Sequence, residues 1–147
     1  MSYLLIPLIQ RPSPELAPLR ETLRAWVTVV TTSADPCIVL NADGRVAGVS
    51  VSAANLVAES PLDIVGRRLI GDVFALVDFS SAAEPMADQS SAPPTQAIAS
   101  GVLCRGLVRL RRTDGVTVTL DAIATPLHAD DGTIIGSLTF FGKLAAH

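Results

Sequence analysis

Short apolar runs alternate with clusters of turn residues along this chain, and the pattern predicts its secondary structure. Asp-Gly lies between apolar runs in three places, within residues 41–45, 111–115 and 129–133. Asp tolerates a left-handed backbone and Gly adopts one without a Cβ penalty, so this dipeptide favours short hairpin turns. The sequence therefore predicts one early hairpin and a late group of hairpins in an antiparallel sheet.

The predicted strands follow from alternation of apolar and polar side chains. In the third strand, Val108 and Leu110 alternate with Arg109 and Arg111, so one face of that strand is apolar. The last three strands form a meander, and the early hairpin completes a five-stranded antiparallel sheet. The five strands are predicted at residues 37–40, 46–50, 103–112, 116–127 and 134–141.

Between the second and third strands the apolar spacing becomes helical. Four helical segments are predicted there, at residues 52–59, 61–65, 69–77 and 96–100. Since all of them fall between the same two strands, they should cover one face of the sheet. The predicted fold class is therefore α+β, with a five-stranded antiparallel sheet and helices on one face.

An amphipathic helix is predicted at residues 13–32, after an apolar tail at residues 1–12. Its apolar side could cover the core of its own domain, or it could form a dimer with a second copy, and the two interpretations are compatible. The apolar positions with helical spacing are the candidate dimer-interface residues: Leu16, Leu19, Leu23, Trp26, Val27 and Val30.

The sequence also divides into a domain and its flanking segments. The domain is expected at residues 33–142, and residues 143–147 form a short tail. Residues 80–95 contain mostly Ser, Ala and Pro with almost nothing large, which predicts a flexible loop within the domain.

Composition narrows the class of protein. The 147 residues suffice for one domain, and a hydrophobic fraction of 49% with only 4% aromatics indicates small-residue packing or apolar surface for a partner or ligand. The net charge of −3 argues against nucleic acid. No apolar run approaches the roughly 20 residues of a membrane span. Without a signal-peptide pattern, we expect a cytoplasmic protein with Cys37 and Cys104 as free thiols.

The order of several short stretches resembles that of a PAS domain, a sensory module, across residues 33–142. The matching stretches are residues 34–45, 60–67, 110–115, 124–127 and 131–136. The resemblance implies the strand order 2-1-5-4-3.

Residues 66–74, with Glu84 and Pro85, resemble a subgroup that precedes histidine kinases or cyclic-di-GMP enzymes. The resemblance thus implies a signalling partner protein or a missing C-terminal output domain. Ser50 stands where many members carry Asn, next to a helix start, and Val51 replaces a common Pro. A serine can still cap that helix.

The resemblance also allows cofactors to be tested against residues, since the family binds flavin, haem, small acids, lipids or nothing. Photosensory flavin members use a Cys on the helix after the pocket, and residues 60–74 contain none. Haem members use a His on the helix that faces the porphyrin, whereas His128 follows a strand and His147 is terminal. Flavin and haem are therefore disfavoured. No metal site is expected, since Asp130 and Asp131 are explained as turn residues.

A cavity between the sheet and the helices is the remaining candidate site. The apolar residues expected there could simply fill the core, or they could line a pocket for an apolar small molecule such as an acyl chain, admitted under residues 80–95. These candidates are Val39, Val49, Leu56, Leu69, Val73, Phe74, Val108, Leu120, Ile123, Leu138 and Phe140.

Catalysis is not expected. Cys104 and His128 are the most plausible nucleophile and base, but nothing near Cys104 except Arg105 would activate a thiol. We therefore expect a non-catalytic sensory or regulatory module that acts through homodimerisation. The alternative is a carrier of an apolar ligand without a signalling output.

Overall fold

The structure is a computed structural model that describes residues 16–144, with side chains from residue 21 onward. The predicted tail at residues 1–12, the start of the first helix and residues 145–147 lie outside this part. The helices are α1 (Leu16–Thr31), α2 (Val51–Leu56), α3 (Pro61–Ile64) and α4 (Pro93–Ser100). The strands are β1 (Cys37–Asn41), β2 (Val46–Val49), β3 (Ala75–Leu76), β4 (Cys104–Arg111), β5 (Thr117–His128) and β6 (Ile134–Lys143).

The strands form one antiparallel sheet in the order β2-β1-β6-β5-β4-β3. The five long strands have the predicted order, and the α+β class is confirmed. The sixth strand, β3, is only two residues long and pairs with Leu110 and Arg111 at the sheet edge. Such a short strand leaves most of the β4 edge without a partner.

The three Asp-Gly turns are confirmed, and they share one geometry. Gly44, Gly115 and Gly132 have positive φ angles of 80°, 87° and 88°. In each turn the glycine N–H donates to the carbonyl three residues earlier, at 2.9–3.0 Å. A three-residue loop that ends in a left-handed glycine is a favoured hairpin connection, which explains why these glycines are needed.

The inner face of the sheet packs against α2, α3 and α4. Ile38, Leu40 and Leu120 point from the strands into this core, where Phe74 and Phe141 make an edge-to-face contact. Their ring centroids are 5.4 Å apart and the ring planes differ by 67°. Aromatic pairs favour this arrangement, so the two rings add specific geometry to a core of small aliphatic residues.

The outer face is covered on one side by α1. Val30 is fully buried there and packs with Cys37, Val39 and Leu138. Helix and strand approach closely because β2 presents Gly48: a Cβ at that position would lie 3.0 Å from Val27 Cγ1. The sheet therefore has helices on both faces near β1, with α1 on the side opposite the other three.

The predicted helix at residues 69–77 is wrong. The chain turns at Gly71, whose φ is +95°, and the Phe74 N–H donates to the Leu69 carbonyl. Residues 75–76 then pair with β4 as β3. The apolar spacing of this segment reflects burial in the core, since Leu69 and Phe74 both lie in the inner cluster.

Candidate functional site

The candidate pocket residues are divided between the two faces of the sheet. On the inner side, Val49, Leu69, Val73, Phe74, Val108 and Leu120 belong to the core, and Leu56 packs against it. Val39 and Leu138 instead lie under α1 on the outer face. Ile123 and Phe140 are exposed on that outer face, with 37% and 42% of their surface accessible. The structure therefore does not bring these four into the sheet–helix interior.

A cavity of about 340 Å³ lies at the edge of β4, between that strand and residues 86–96. Among the predicted pocket residues, Val108 lines it. Leu76, Phe79, Met86 and Leu107 contribute much of its apolar wall. Sequence reasoning missed this position, although it named residues 80–95 as the segment that would cover a ligand.

The cavity exists because β3 ends early. The Val77 N–H still donates to the Arg109 carbonyl at 2.8 Å, and beyond that point the chain leaves β4. Backbone groups alternate in direction along an antiparallel strand, so Leu107 and Arg105 direct their N–H and C=O groups to the same edge as Arg109. No strand in the described part of the chain pairs with β4 at these two residues.

Two arginines of β4 hold the neighbouring loop. Arg109 Nη1 donates to the carbonyls of Asp78 and Ser80, at 2.9 and 2.7 Å. Arg111 Nη2 donates to the Ala83 carbonyl at 3.0 Å. These bonds fix the first part of the predicted flexible loop to the outer side of the β4 edge. Flexibility of the loop as a whole stays a prediction.

The Asp78 carboxylate is turned into this loop. It accepts hydrogen bonds from the Ser80 hydroxyl, the Ser80 N–H and the Glu84 N–H. These bonds, the Ser80 hydroxyl first, hold the pKa of Asp78 below its usual value, with Arg109 as a smaller contribution. Asp78 therefore organises the loop rather than forming an ion pair with Arg109.

Arg105 forms an ion pair across the strands. Its Nη2 and Nε lie 2.7 and 3.2 Å from the two carboxylate oxygens of Asp121 on β5. The bond from Arg105 lowers the pKa of Asp121. Asp121 thus has a structural partner in Arg105.

The apolar side of α1 faces its own sheet. Leu23, Trp26 and Val27 pack against the outer cluster with part of their surface exposed, while Val30 is fully buried there. Val30 is therefore occupied within the chain, in contrast to its expected place at a dimer interface. The side chains of the other two candidates, Leu16 and Leu19, lie outside the described residues.

Beyond α1, the outer face carries an exposed apolar strip of Leu107, Ile123 and Phe140. Ile123 and Phe140 are directly opposite each other on β5 and β6. Leu107 lies diagonally across from Ile123 on β4 and is 51% exposed. The Arg105–Asp121 ion pair follows the other diagonal, so it lies between Leu107 and the Ile123–Phe140 pair. Several large apolar side chains exposed on one surface are typical of a contact with another molecule.

Ser50 confirms the expected cap and does more. Its Oγ accepts hydrogen bonds from the Ala53 N–H at 3.2 Å and the Cys37 N–H at 3.0 Å. Ser52 Oγ donates to the Ala34 carbonyl, so Ser50 is the donor in the 3.3 Å contact between the two hydroxyls. One fully buried hydroxyl therefore ties the start of β1 to the start of α2.

The candidate nucleophile and base are far apart. Cys104 is opposite Ala124 in the β4–β5 ladder, and His128 lies four residues further along β5. At about 3.4 Å per residue this separates them by roughly 14 Å along the strand. Both cysteines are free, as predicted. Within residues 16–144 there is no group of His, Cys, Asp and Glu that could hold a metal ion.

No helix in the described range is both long and apolar enough to cross a membrane.

Comparison with known proteins identifies the fold. A family model described as "PAS fold" matches residues 30–145. No curated protein matches the chain.

Three solved structures illustrate the similarity. The PAS domain of the fruit-fly ELK potassium channel has a TM-score of 0.66 at 11% identity, over 84% of this chain and 98% of that chain. A PAS domain from Colwellia psychrerythraea gives 0.60 at 12%, over 83% and 96%. The Rhodobacter sphaeroides LOV protein gives 0.62 at 14%, over 86% and 68%. At these identities the likeness shows the fold alone.

Proposed function

The chain belongs to the PAS family, whose members are sensory modules in signalling. We propose that it is a non-catalytic regulatory module with a small-ligand site. The observation that carries the proposal is the cavity of about 340 Å³ at the β4 edge. Its wall combines apolar side chains with a substantial polar share that includes Gln89, Gln96 and Arg109, so both kinds of group are available to a ligand.

The size of the cavity favours a small ligand. Pockets for small molecules span roughly 300–1,000 Å³, so this one is at the lower end. That volume favours a ligand smaller than flavin or haem. We propose an apolar or amphipathic small molecule that enters beside residues 86–92.

Homodimerisation is the second part of the proposal. The exposed strip of Leu107, Ile123 and Phe140 would contact a second copy, together with the exposed parts of α1. Because Val30 is buried against its own sheet, it is not part of the proposed interface. The signal would pass to a partner protein or to an output domain. The module is expected in the cytoplasm.

The cavity and the strip are physically connected. Leu107 belongs to both, since it lines the cavity and forms one end of the strip. A ligand that displaces Leu107 would therefore change the surface presented to a second copy. This connection favours a sensor over the alternative, a carrier that holds an apolar ligand without a signalling output.

The first experiment tests for the ligand. Protein purified from cells would be measured by native and denaturing mass spectrometry. We expect a mass excess in the native spectrum that is lost on denaturation. A bare polypeptide mass in both spectra would count against a tightly bound ligand.

The second experiment tests the dimer by sedimentation velocity. We expect Phe140→Glu to convert a dimer to a monomer, whereas Leu62→Glu leaves the dimer intact because Leu62 is 91% exposed on α3, away from the strip. A wild-type monomer at high concentration would contradict the dimer. A ligand that binds without any change in self-association would support the carrier alternative.

A further inference from the structure

Arg109 is a cation of the cavity wall that has no ion-pair partner among residues 16–144. Among the residues that the structure describes, Arg67, Arg105 and Arg112 form ion pairs with carboxylates, and Arg109 does not. Its Nη1 is held by the carbonyls of Asp78 and Ser80. Its Nε and Nη2 have no hydrogen-bond partner within residues 16–144. The guanidinium is thus held in position by two carbonyls, and two of its nitrogen atoms can still donate hydrogen bonds to a ligand.

Two backbone donors lie along the same edge. The N–H groups of Arg105 and Leu107 point to the open side of β4, and no acceptor for them is found in the described part of the chain. An oxyanion beside β4 would provide acceptors both for these amides and for Arg109. Arg105 and Leu107 are exposed at this sheet edge, so water can satisfy their amides until a ligand takes its place.

The rest of the cavity wall has no acidic side chain among residues 16–144 and offers apolar surface. No Asp or Glu from residues 16–144 lines the cavity, and both of its charged residues are arginines. Leu76, Phe79 and Met86 offer apolar surface for a hydrocarbon. Arg105 is already paired with Asp121, so Arg109 is the cation left for a ligand.

We propose that the cavity binds a small organic carboxylate with an apolar tail, its carboxylate on Arg109 and its tail against Leu76, Phe79 and Met86. This assignment rests on the proposed function, in which the cavity is a ligand site. It adds the chemical class of the ligand and the residue that selects it. The nearby Asp78 competes only through its charge, because its carboxylate accepts hydrogen bonds from the loop and makes none with Arg109.

The experiment compares octanoate with 1-octanol, which has the same chain length but no charge. Affinity for the full chain would be measured by isothermal titration calorimetry. Occupancy of the cavity would be followed separately by alkylation of Cys104 with N-ethylmaleimide. Cys104 lines the cavity and is half-buried, whereas the other thiol, Cys37, is 1% exposed and shielded.

A matched pair of variants tests the anchor. Arg109→Gln removes the charge from the wall, and Arg111→Gln removes a charge two residues away that holds the same loop but does not line the cavity. We expect octanoate to bind at least about tenfold more tightly than 1-octanol, since a charge-assisted hydrogen bond has about that effect. The advantage should be lost in Arg109→Gln and kept in Arg111→Gln.

The outcomes distinguish two claims: that the cavity is a ligand site, and that its ligand is a carboxylate held by Arg109. If both compounds bind equally and both protect Cys104, the ligand site stands and the carboxylate assignment is overturned. Unchanged octanoate affinity in a folded Arg109→Gln variant overturns the assignment of Arg109. If neither compound slows alkylation of Cys104, the cavity is not a site for such ligands, and both claims fail. The comparison of the two compounds on the wild-type chain holds even if Arg109→Gln does not fold.

Discussion

Ser137 and Thr139 lie two residues apart on β6, both fully buried, yet within residues 16–144 only the Ser137 hydroxyl has a hydrogen-bond partner. Ser137 Oγ donates to the Pro94 carbonyl of α4 at 2.9 Å. Thr139 Oγ1 has no partner in the described part of the chain. Adjacent positions on one face of one strand therefore differ in how well their hydroxyls are satisfied.

This contrast predicts opposite effects of removing the two hydroxyls. Thr139→Val keeps the shape and removes an unpaired polar group, so stability should be unchanged or rise by about 1 kcal/mol. Ser137→Ala should lower stability by about 1 kcal/mol because a buried hydrogen bond is lost. Urea unfolding at equilibrium measures both. A clear loss in Thr139→Val would mean that its hydroxyl has a partner, such as a buried water.

Ser50 should be far more sensitive than another serine at a helix start. Ser50→Ala leaves the N–H groups of Cys37 and Ala53 without their acceptor, so we expect a loss of about 2–3 kcal/mol. Ser60 precedes α3, is exposed and makes no cap hydrogen bond, so Ser60→Ala should cost less than about 0.5 kcal/mol. Equal losses in the two variants would contradict the role of Ser50 as a double acceptor.

Gly48 should control the docking of α1. In Gly48→Ala the new Cβ would crowd Val27, and relief requires the helix to move, at a cost of about 1–3 kcal/mol. Trp26 packs in the same contact and is the only Trp, so its fluorescence should shift to the red. Gly142→Ala is the control, since a Cβ there meets no atom of the described residues within 4 Å. An unshifted spectrum in Gly48→Ala would mean that α1 tolerates the extra methyl group in place.

Acid should weaken the fold in part through Asp72. Arg67 donates to the Asp72 carboxylate at 2.8 and 3.3 Å, and this hydrogen bond lowers the pKa of Asp72. A lowered folded-state pKa means that the stabilisation is present above the unfolded value of about 3.9 and is lost as the pH falls through the folded value.

We therefore expect the urea concentration at the unfolding midpoint to decrease as the pH drops below about 4. This decrease should be less steep in Asp72→Asn. Asp43→Asn is the control, because the Asp43 carboxylate makes no ion pair or hydrogen bond within residues 16–144. Identical pH profiles for the wild type and Asp72→Asn would exclude this contribution.

The scaffold was readable from the sequence where a local residue determines the backbone. Gly44, Gly115 and Gly132 mark three hairpins because a left-handed turn residue is needed there whatever surrounds it. At residues 69–77 the prediction of a helix from apolar spacing was wrong. Leu69 and Val73 have a helical spacing, but Gly71 turns the chain and long-range pairing with β4 sets the structure.

The faces of β1 were not readable for a different reason. Cys37, Ile38, Val39 and Leu40 are all apolar and all buried, since helices cover both faces of this strand. Without alternation, nothing in the sequence shows which residues point to which side, and Val39 was assigned to the wrong one. The cavity was likewise hidden, because it depends on where β3 stops rather than on any local motif.

The position of β1 between β2 and β6 has a consequence for the order of folding. During synthesis β2 follows at once, but the other neighbour arrives only when Phe140 and Leu138 have been made to pair with Cys37 and Val39. Until then, one edge of the strongly apolar strand β1 is unpaired, and its backbone can pair with other chains. A nascent chain should therefore depend on chaperones until its last strand is complete, and aggregation during expression should respond to changes in β6 more than to changes in α1.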